Sequence, residues 1–127
     1  MKKIIAPHAP KAIGPYAAAI RSGNLVFCSG QTPLNPETMQ IEGRTIEEQT
    51  LVALQNLEAV LKTEGLSRLN IVKTSVFLKN FADFPKMNLT YANFFDTHTP
   101  ARTTVEVSRL PMDALVEIEC IAEVLSH

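Results

Sequence analysis

The strongest constraint on how these 127 residues can fold is a single helix signature. Thr45 and Glu48 stand three positions apart, the spacing of a capping box, in which each side chain satisfies an amide left open at a helix start. Beyond them Leu54, Leu57 and Leu61, flanked by Ala53 and Val60, recur at three- and four-residue intervals, and Gly65 suits a left-handed stop. The spacing predicts a helix over residues 45–64 whose apolar stripe must be buried against other elements. Those elements are short and β-branched. Residues 16–21 and 25–29 flank Ser22, Gly23 and Asn24, which is hairpin chemistry. Residues 70–79, NIVKTSVFLK, read as a third strand. Asp83 is placed to cap a second helix, along which Phe84, Met87, Tyr91, Phe94 and Phe95 form an aromatic stripe expected in the core. Two further strands, residues 102–109 and 115–124, close the chain. Pro33, Pro36 and Gly43 make the segment between the hairpin and the first helix a loop.

The order strand, strand, helix, strand, helix, strand, strand predicts an α+β domain, residues 1–127, with a mixed sheet and two helices packed on one face. No repeat, low-complexity tract or linker interrupts it. Hydrophobic residues at 46% and charged residues at 20%, close to the averages for soluble globular proteins, favour neither a disordered nor a fibrous chain. A formal net charge of -1 supplies no long-range attraction for nucleic acid or an anionic membrane, and the only basic run is Lys2 and Lys3. No stretch approaches the roughly 20 apolar residues of a membrane span, and the N-terminus lacks a signal peptide's apolar segment. A cytoplasmic protein with reduced thiols is expected, and Cys28 and Cys120, each inside an apolar run, read as small core hydrophobes. His8, His98 and His127 are scattered without ligand spacing, so no metal site is expected.

The two final strands carry the residues of interest. Strand side chains alternate faces. Val105 and Val107 fall on one face of the fourth strand, and Arg102, Thr104, Glu106 and Ser108 on the other. In the fifth, Val116, Ile118, Cys120, Ala122 and Val124 oppose Glu117, Glu119 and Glu123. If these strands pair as a hairpin with their apolar faces toward the helices, Arg102 and Glu117 share the remaining face. From pattern alone that pair reads first as a cross-strand salt bridge on a solvated face, worth about 0.2 to 1 kcal/mol, and alternatively as an anion site. In the second reading the arginine's planar fork grips a carboxylate and the glutamate holds a water or acts as a base.

Longer stretches carry a resemblance. IGPY at residues 13–16, SGQ at 29–31, IVKTSVFLKNFADFPKMNLTY at 71–91, and PARTTVEVSRLP followed by VEIECIA near the C-terminus resemble the Rid/YjgF family of enamine/imine deaminases, closest to its RidA subgroup. The resemblance runs through nearly the whole chain. It implies a chorismate-mutase-like α+β fold assembled as a homotrimer with three intersubunit clefts, and hydrolysis of 2-iminobutanoate and 2-iminopropanoate to 2-oxo acids and ammonia without a cofactor. It places Arg102 where the family clamps the substrate carboxylate and Glu117 where a glutamate positions the attacking water. Tyr16 and Ser29 match cleft-shaping positions, and Gly30 and Asn88 further pocket positions. Thr104 stands where the subgroup often has cysteine, and Thr103 where serine is common, departures that bear on substrate preference. Three other functions compete: a non-catalytic binder of 2-oxo acids, a ribonuclease or translation inhibitor, and a chaperone-like protein. The near-neutral charge and lack of a basic, aromatic-lined groove weigh against the ribonuclease, and no sequence feature specifically supports the chaperone.

Overall fold

The computed structural model describes residues 1–125, and His127 lies outside the described residues. Six strands form one sheet: β1 (Lys2–Ile4), β2 (Ala19–Ser22), β3 (Leu25–Gln31), β4 (Ile71–Leu78), β5 (Ala101–Glu106) and β6 (Val116–Glu123), in the spatial order β1-β2-β3-β6-β4-β5. Two helices, α1 (Ile46–Lys62) and α2 (Phe84–Phe95), cover one face. The mixed sheet and its one-sided helical layer agree with the sequence reading. β1 was not foreseen: Lys3 and Ile4 pair with Ile20 and Ala19, and Lys2 reaches Glu64 just beyond the end of α1 at 2.8 Å.

The helix signals act as their chemistry requires. Thr45 accepts the Glu48 amide at 3.1 Å, and α1 buries Leu54, Leu57, Val60 and Leu61 completely. The chain then reverses through Gly65, φ +71°, with the Leu66 amide donating back to the Leu61 carbonyl at 3.0 Å. The hairpin turn lies at Gly23 and Asn24, as expected. The start of α2 differs. Asp83 makes no side-chain cap; Asn80 accepts the Ala82 amide at 2.9 Å and caps a 3-10 turn, Phe81–Asp83, that runs directly into α2. That turn already supplies backbone continuity, so the helix start has no need of the aspartate.

The final two strands do not form a hairpin. β5 runs parallel to β4 at the sheet edge, and β6 inserts between β3 and β4, antiparallel to both. β4, α2 and β5 are therefore a strand-helix-strand unit, the usual way to join neighbouring parallel strands. The expected face assignment fails with the hairpin. Thr74 of β4 pairs with both Arg102 and Cys120, and both Thr74 and Cys120 are buried under the helices, so Arg102 and Thr104 face the helical side. Phe77 pairs with both Glu117 and Val105, which lie on the uncovered face. The assumption that valines must point toward the helices breaks down at an edge strand, where the helix side is only partly covered and a polar row is tolerated. On the open face Val105 and Phe27 are 41% and 43% exposed.

Candidate functional site

Arg102 and Glu117 thus lie on opposite faces of one sheet, separated by β4, and each has its own cavity. The helix-side cavity, about 500 Å³, is lined by Asn88, Tyr91, Phe95, His98, Pro100 and Arg102. The Arg102 guanidinium carbon sits 4.8 Å from the centre of the Tyr91 ring and 5.5 Å from that of Phe84. Among the described residues no carboxylate forms an ion pair with it. Asn88 Oδ1, whose residue lines this cavity, is buried without a hydrogen-bond partner, and so is Thr104 Oγ1, on the same face of β5 but outside the cavity lining. A buried polar atom with no partner costs about 1–3 kcal/mol, so such atoms in a binding pocket commonly await a ligand or water.

Arg68 shows what a structural arginine in this fold looks like. It donates to both Glu58 oxygens at 2.7 and 2.8 Å and to the Phe94 carbonyl at 2.6 Å. The hydrogen bonds from Arg68 hold the Glu58 carboxyl below its usual range. Although the cavity beside this pair is larger, about 590 Å³, its arginine is already neutralised. Among the described residues Arg102 has no such partner.

The second cavity, about 260 Å³, is walled by Lys11, Ile13, Tyr16, Gly30, Thr32 and Glu117, among others. Gly30 makes the room. A Cβ built on it would lie 3.0 Å from Glu117 Cδ and 3.1 Å from Oε2. Burial, reinforced by the charge of Glu119, pushes the Glu117 carboxyl above its usual pKa. A carboxylate in that setting is a stronger proton acceptor than one in water. Tyr16 is an exposed wall of the cavity. Ser29 contributes indirectly: its hydroxyl donates to the Ala17 carbonyl at 2.7 Å and its amide to the Ala18 carbonyl at 3.0 Å, pinning the segment that carries Tyr16.

The seven sequence-predicted residues therefore fall into two groups. Arg102, Asn88 and Thr104 lie on the helical side, and Glu117, Gly30, Tyr16 and Ser29 belong to the other cavity or its support. Sequence reasoning missed the place of Phe84 and Tyr91 beside Arg102, because helical spacing marks the stripe only as core. Among the described residues no cluster of His, Cys, Asp and Glu could hold a metal ion, and no helix is long and apolar enough to cross a membrane.

The fold defines a small α+β protein with a two-helix layer on a mixed sheet, presenting an unneutralised arginine and a half-buried carboxylate in separate cavities. The chain belongs to the Rid/YjgF family: the family model described as Endoribonuclease L-PSP matches residues 6–124. A RutC family protein of Pyrococcus horikoshii is 48% identical over 96% of this chain and 98% of its own. The 2-iminobutanoate/2-iminopropanoate deaminase of Escherichia coli is 44% identical over 95% of this chain and 96% of its own. The structure of Escherichia coli TdcF with bound serine superposes with a TM-score of 0.93 at 40% identity, covering 98% of this chain and 100% of that one.

Proposed function

We propose that this protein hydrolyses 2-imino acids such as 2-iminobutanoate and 2-iminopropanoate, with their enamine tautomers, to 2-oxo acids and ammonia. The catalysis takes place in clefts formed between the copies of a homotrimer, arranged in the chorismate-mutase-like manner. One observation carries the reading: among the described residues neither Arg102 nor Glu117 has an ion-pair partner, yet β4 and the thickness of the sheet separate them. Two such groups can serve one small substrate only if the cavity bearing Arg102 meets the cavity bearing Glu117 of another copy. The open face, with Phe27, Phe77, Val105 and Ile121, supplies apolar surface for the association, and a closed ring would cover sheet edges that one chain leaves bare. The deaminase relative and the serine held by TdcF support a small ligand with a carboxylate.

In this reading Arg102 grips the substrate carboxylate through its fork, fixing the iminium carbon. Glu117 aligns a water and takes up its proton as the oxygen bonds to that carbon. Glu117 returns that proton to the amino nitrogen of the resulting carbinolamine, and the C–N bond then breaks as the hydroxyl oxygen forms the carbonyl and gives its proton to Glu117, releasing ammonia. An iminium carbon is already electrophilic, so position and one base are sufficient.

A threonine dehydratase supplying 2-iminobutanoate provides the assay. Wild type should accelerate ammonia release, and Arg102→Ala and Glu117→Ala should each abolish the acceleration. Co-refolding equal amounts of the two variants should restore about a quarter of the sites, since a random ring pairs an intact arginine with an intact glutamate at that frequency. No acceleration by wild type removes the deaminase; saturable 2-oxobutanoate binding without turnover would leave a carboxylate-binding protein in its place.

A further inference from the structure

We propose that Tyr91, held in place by Thr74, is the positioning residue that aims the Arg102 guanidinium at the substrate carboxylate; the inference rests on Arg102 being the clamp. A guanidinium fork is specific only when its plane and direction are fixed. Glu58 does this for Arg68, at the expense of its charge. An acidic partner for Arg102 would neutralise it and compete with the substrate. The groups that the structure sets against it are aromatic instead, Tyr91 at 4.8 Å and Phe84 at 5.5 Å. A ring face attracts the cation while leaving the N–H donors of the fork open to a ligand.

The ring is itself anchored. Its hydroxyl lies 2.7 Å from Thr74 Oγ1, and Thr74 is completely buried. Phe95 packs on the ring at 4.7 Å between centres. Thr74 is also the register partner of Arg102 on the neighbouring strand. The hydroxyl that fixes the ring and the arginine that the ring carries therefore hang from paired positions of β4 and β5. This closes a triangle of Thr74, Tyr91 and Arg102 through the backbone. Burial raises the Tyr91 phenol above its usual pKa, while the Thr74 hydrogen bond and the Arg102 charge pull the other way, consistent with a protonated hydroxyl beside the cation.

The experiment measures 2-oxobutanoate affinity by calorimetry and imino-acid turnover for Thr74→Val, Thr74→Ser, Tyr91→Phe, Tyr91→Leu and Arg102→Ala. Loss of the anchor or of the ring should raise Kd and KM together by about three- to tenfold, the size of one cation–aromatic contact, with kcat nearly unchanged. Thr74→Ser keeps the hydroxyl and should restore the wild-type values. The Arg102 Nε proton should be shifted upfield by the ring in wild type and return toward a free-arginine position in Tyr91→Leu. Should Tyr91→Leu fail to fold, the Val and Ser variants at position 74 decide. Wild-type Kd and KM in Thr74→Val, with binding lost in Arg102→Ala, would overturn the platform and leave the clamp standing. Unchanged binding in Arg102→Ala would overturn the clamp and the platform with it.

Discussion

Replacing Gly30 with alanine tests the site without touching a charged group. The added Cβ would lie 3.0 Å from Glu117 Cδ, 3.1 Å from Cγ and 3.1 Å from Oε2. Comfortable carbon contacts begin near about 3.5 Å, so the carboxylate has to retreat by roughly 0.5 Å. A misplacement of about 1 Å in a reacting geometry costs on the order of a hundredfold in rate, which scales to about tenfold here. Stability should move little. The obstructing atoms belong to the end of a half-buried side chain that can swing away, and Gly30 has no positive φ to strain an alanine. Alanine also restricts the unfolded chain, a gain of about 0.4–1 kcal/mol that offsets much of the crowding. The expected result is kcat reduced about tenfold, with the urea-unfolding free energy within about 1 kcal/mol of wild type. Wild-type kcat in a folded Gly30→Ala protein would refute the argument that this glycine makes room for a reacting carboxylate.

Arg102→Lys keeps the charge and loses the fork; it should weaken 2-oxobutanoate binding at least about tenfold, and calorimetry giving wild-type affinity would show that charge alone suffices. Glu117→Gln tests the half-buried carboxylate through pH. Because the folded-state pKa is raised, the folded protein holds that proton more tightly than the unfolded chain. The associated stability is complete below the usual carboxylate range and is lost as pH rises through the folded pKa. Urea melts should therefore find Glu117→Gln more stable than wild type at pH 7, with the advantage shrinking toward pH 4; the opposite sign would mean that a cation from another chain already neutralises Glu117. Wild-type turnover should fall on the acid side as the same carboxylate takes its proton. Cys28 and Cys120 face each other across β3 and β6, both buried, and the Cys28 thiol together with burial pushes the Cys120 thiol well up. Iodoacetamide at pH 8 should label neither thiol at an appreciable rate until urea unfolds the chain; rapid labelling of the native protein would contradict this packing.

The elements with local causes were legible in the sequence. The capping threonine, the leucine stripe and the glycine stop define α1 almost to the residue, and Gly23 with Asn24 fixes the first hairpin. Strand order was not legible, because it depends on what each strand meets after the chain has turned. Adjacency in sequence makes residues 102–109 and 115–124 look like neighbours in space, and only that pairing would put Arg102 and Glu117 on one face. The strand-helix-strand order of residues 71–106 held the missing signal, since such a unit favours a parallel pair and leaves the last strand to insert elsewhere. Alternation singles out Arg102 and Glu117 but gives them the wrong neighbours, and the other candidate residues follow only from the family resemblance. The place of Tyr91 beside Arg102 was invisible, because helical spacing cannot distinguish a ring that fills the core from one whose face also meets a cation.

The parallel placement of β5 beside β4 gives the proposed site a reason to be divided between copies. Had Arg102 and Glu117 faced each other across two adjacent strands, each would have neutralised the other, as Arg68 and Glu58 do. A clamp occupied by its own glutamate must break that pair before it can bind a substrate, and a glutamate bound to arginine is a poor base. Setting the two on opposite faces keeps both charges in reserve within each chain, at the cost of desolvating a carboxylate that has no partner. In the proposed trimer the groups approach only across an interface, where a substrate carboxylate comes between them and takes the arginine. Assembly and activity are then one equilibrium. Specific activity should decline on dilution in step with the mass of the particle in analytical ultracentrifugation, and full turnover from a dissociated chain would mean that each half works alone.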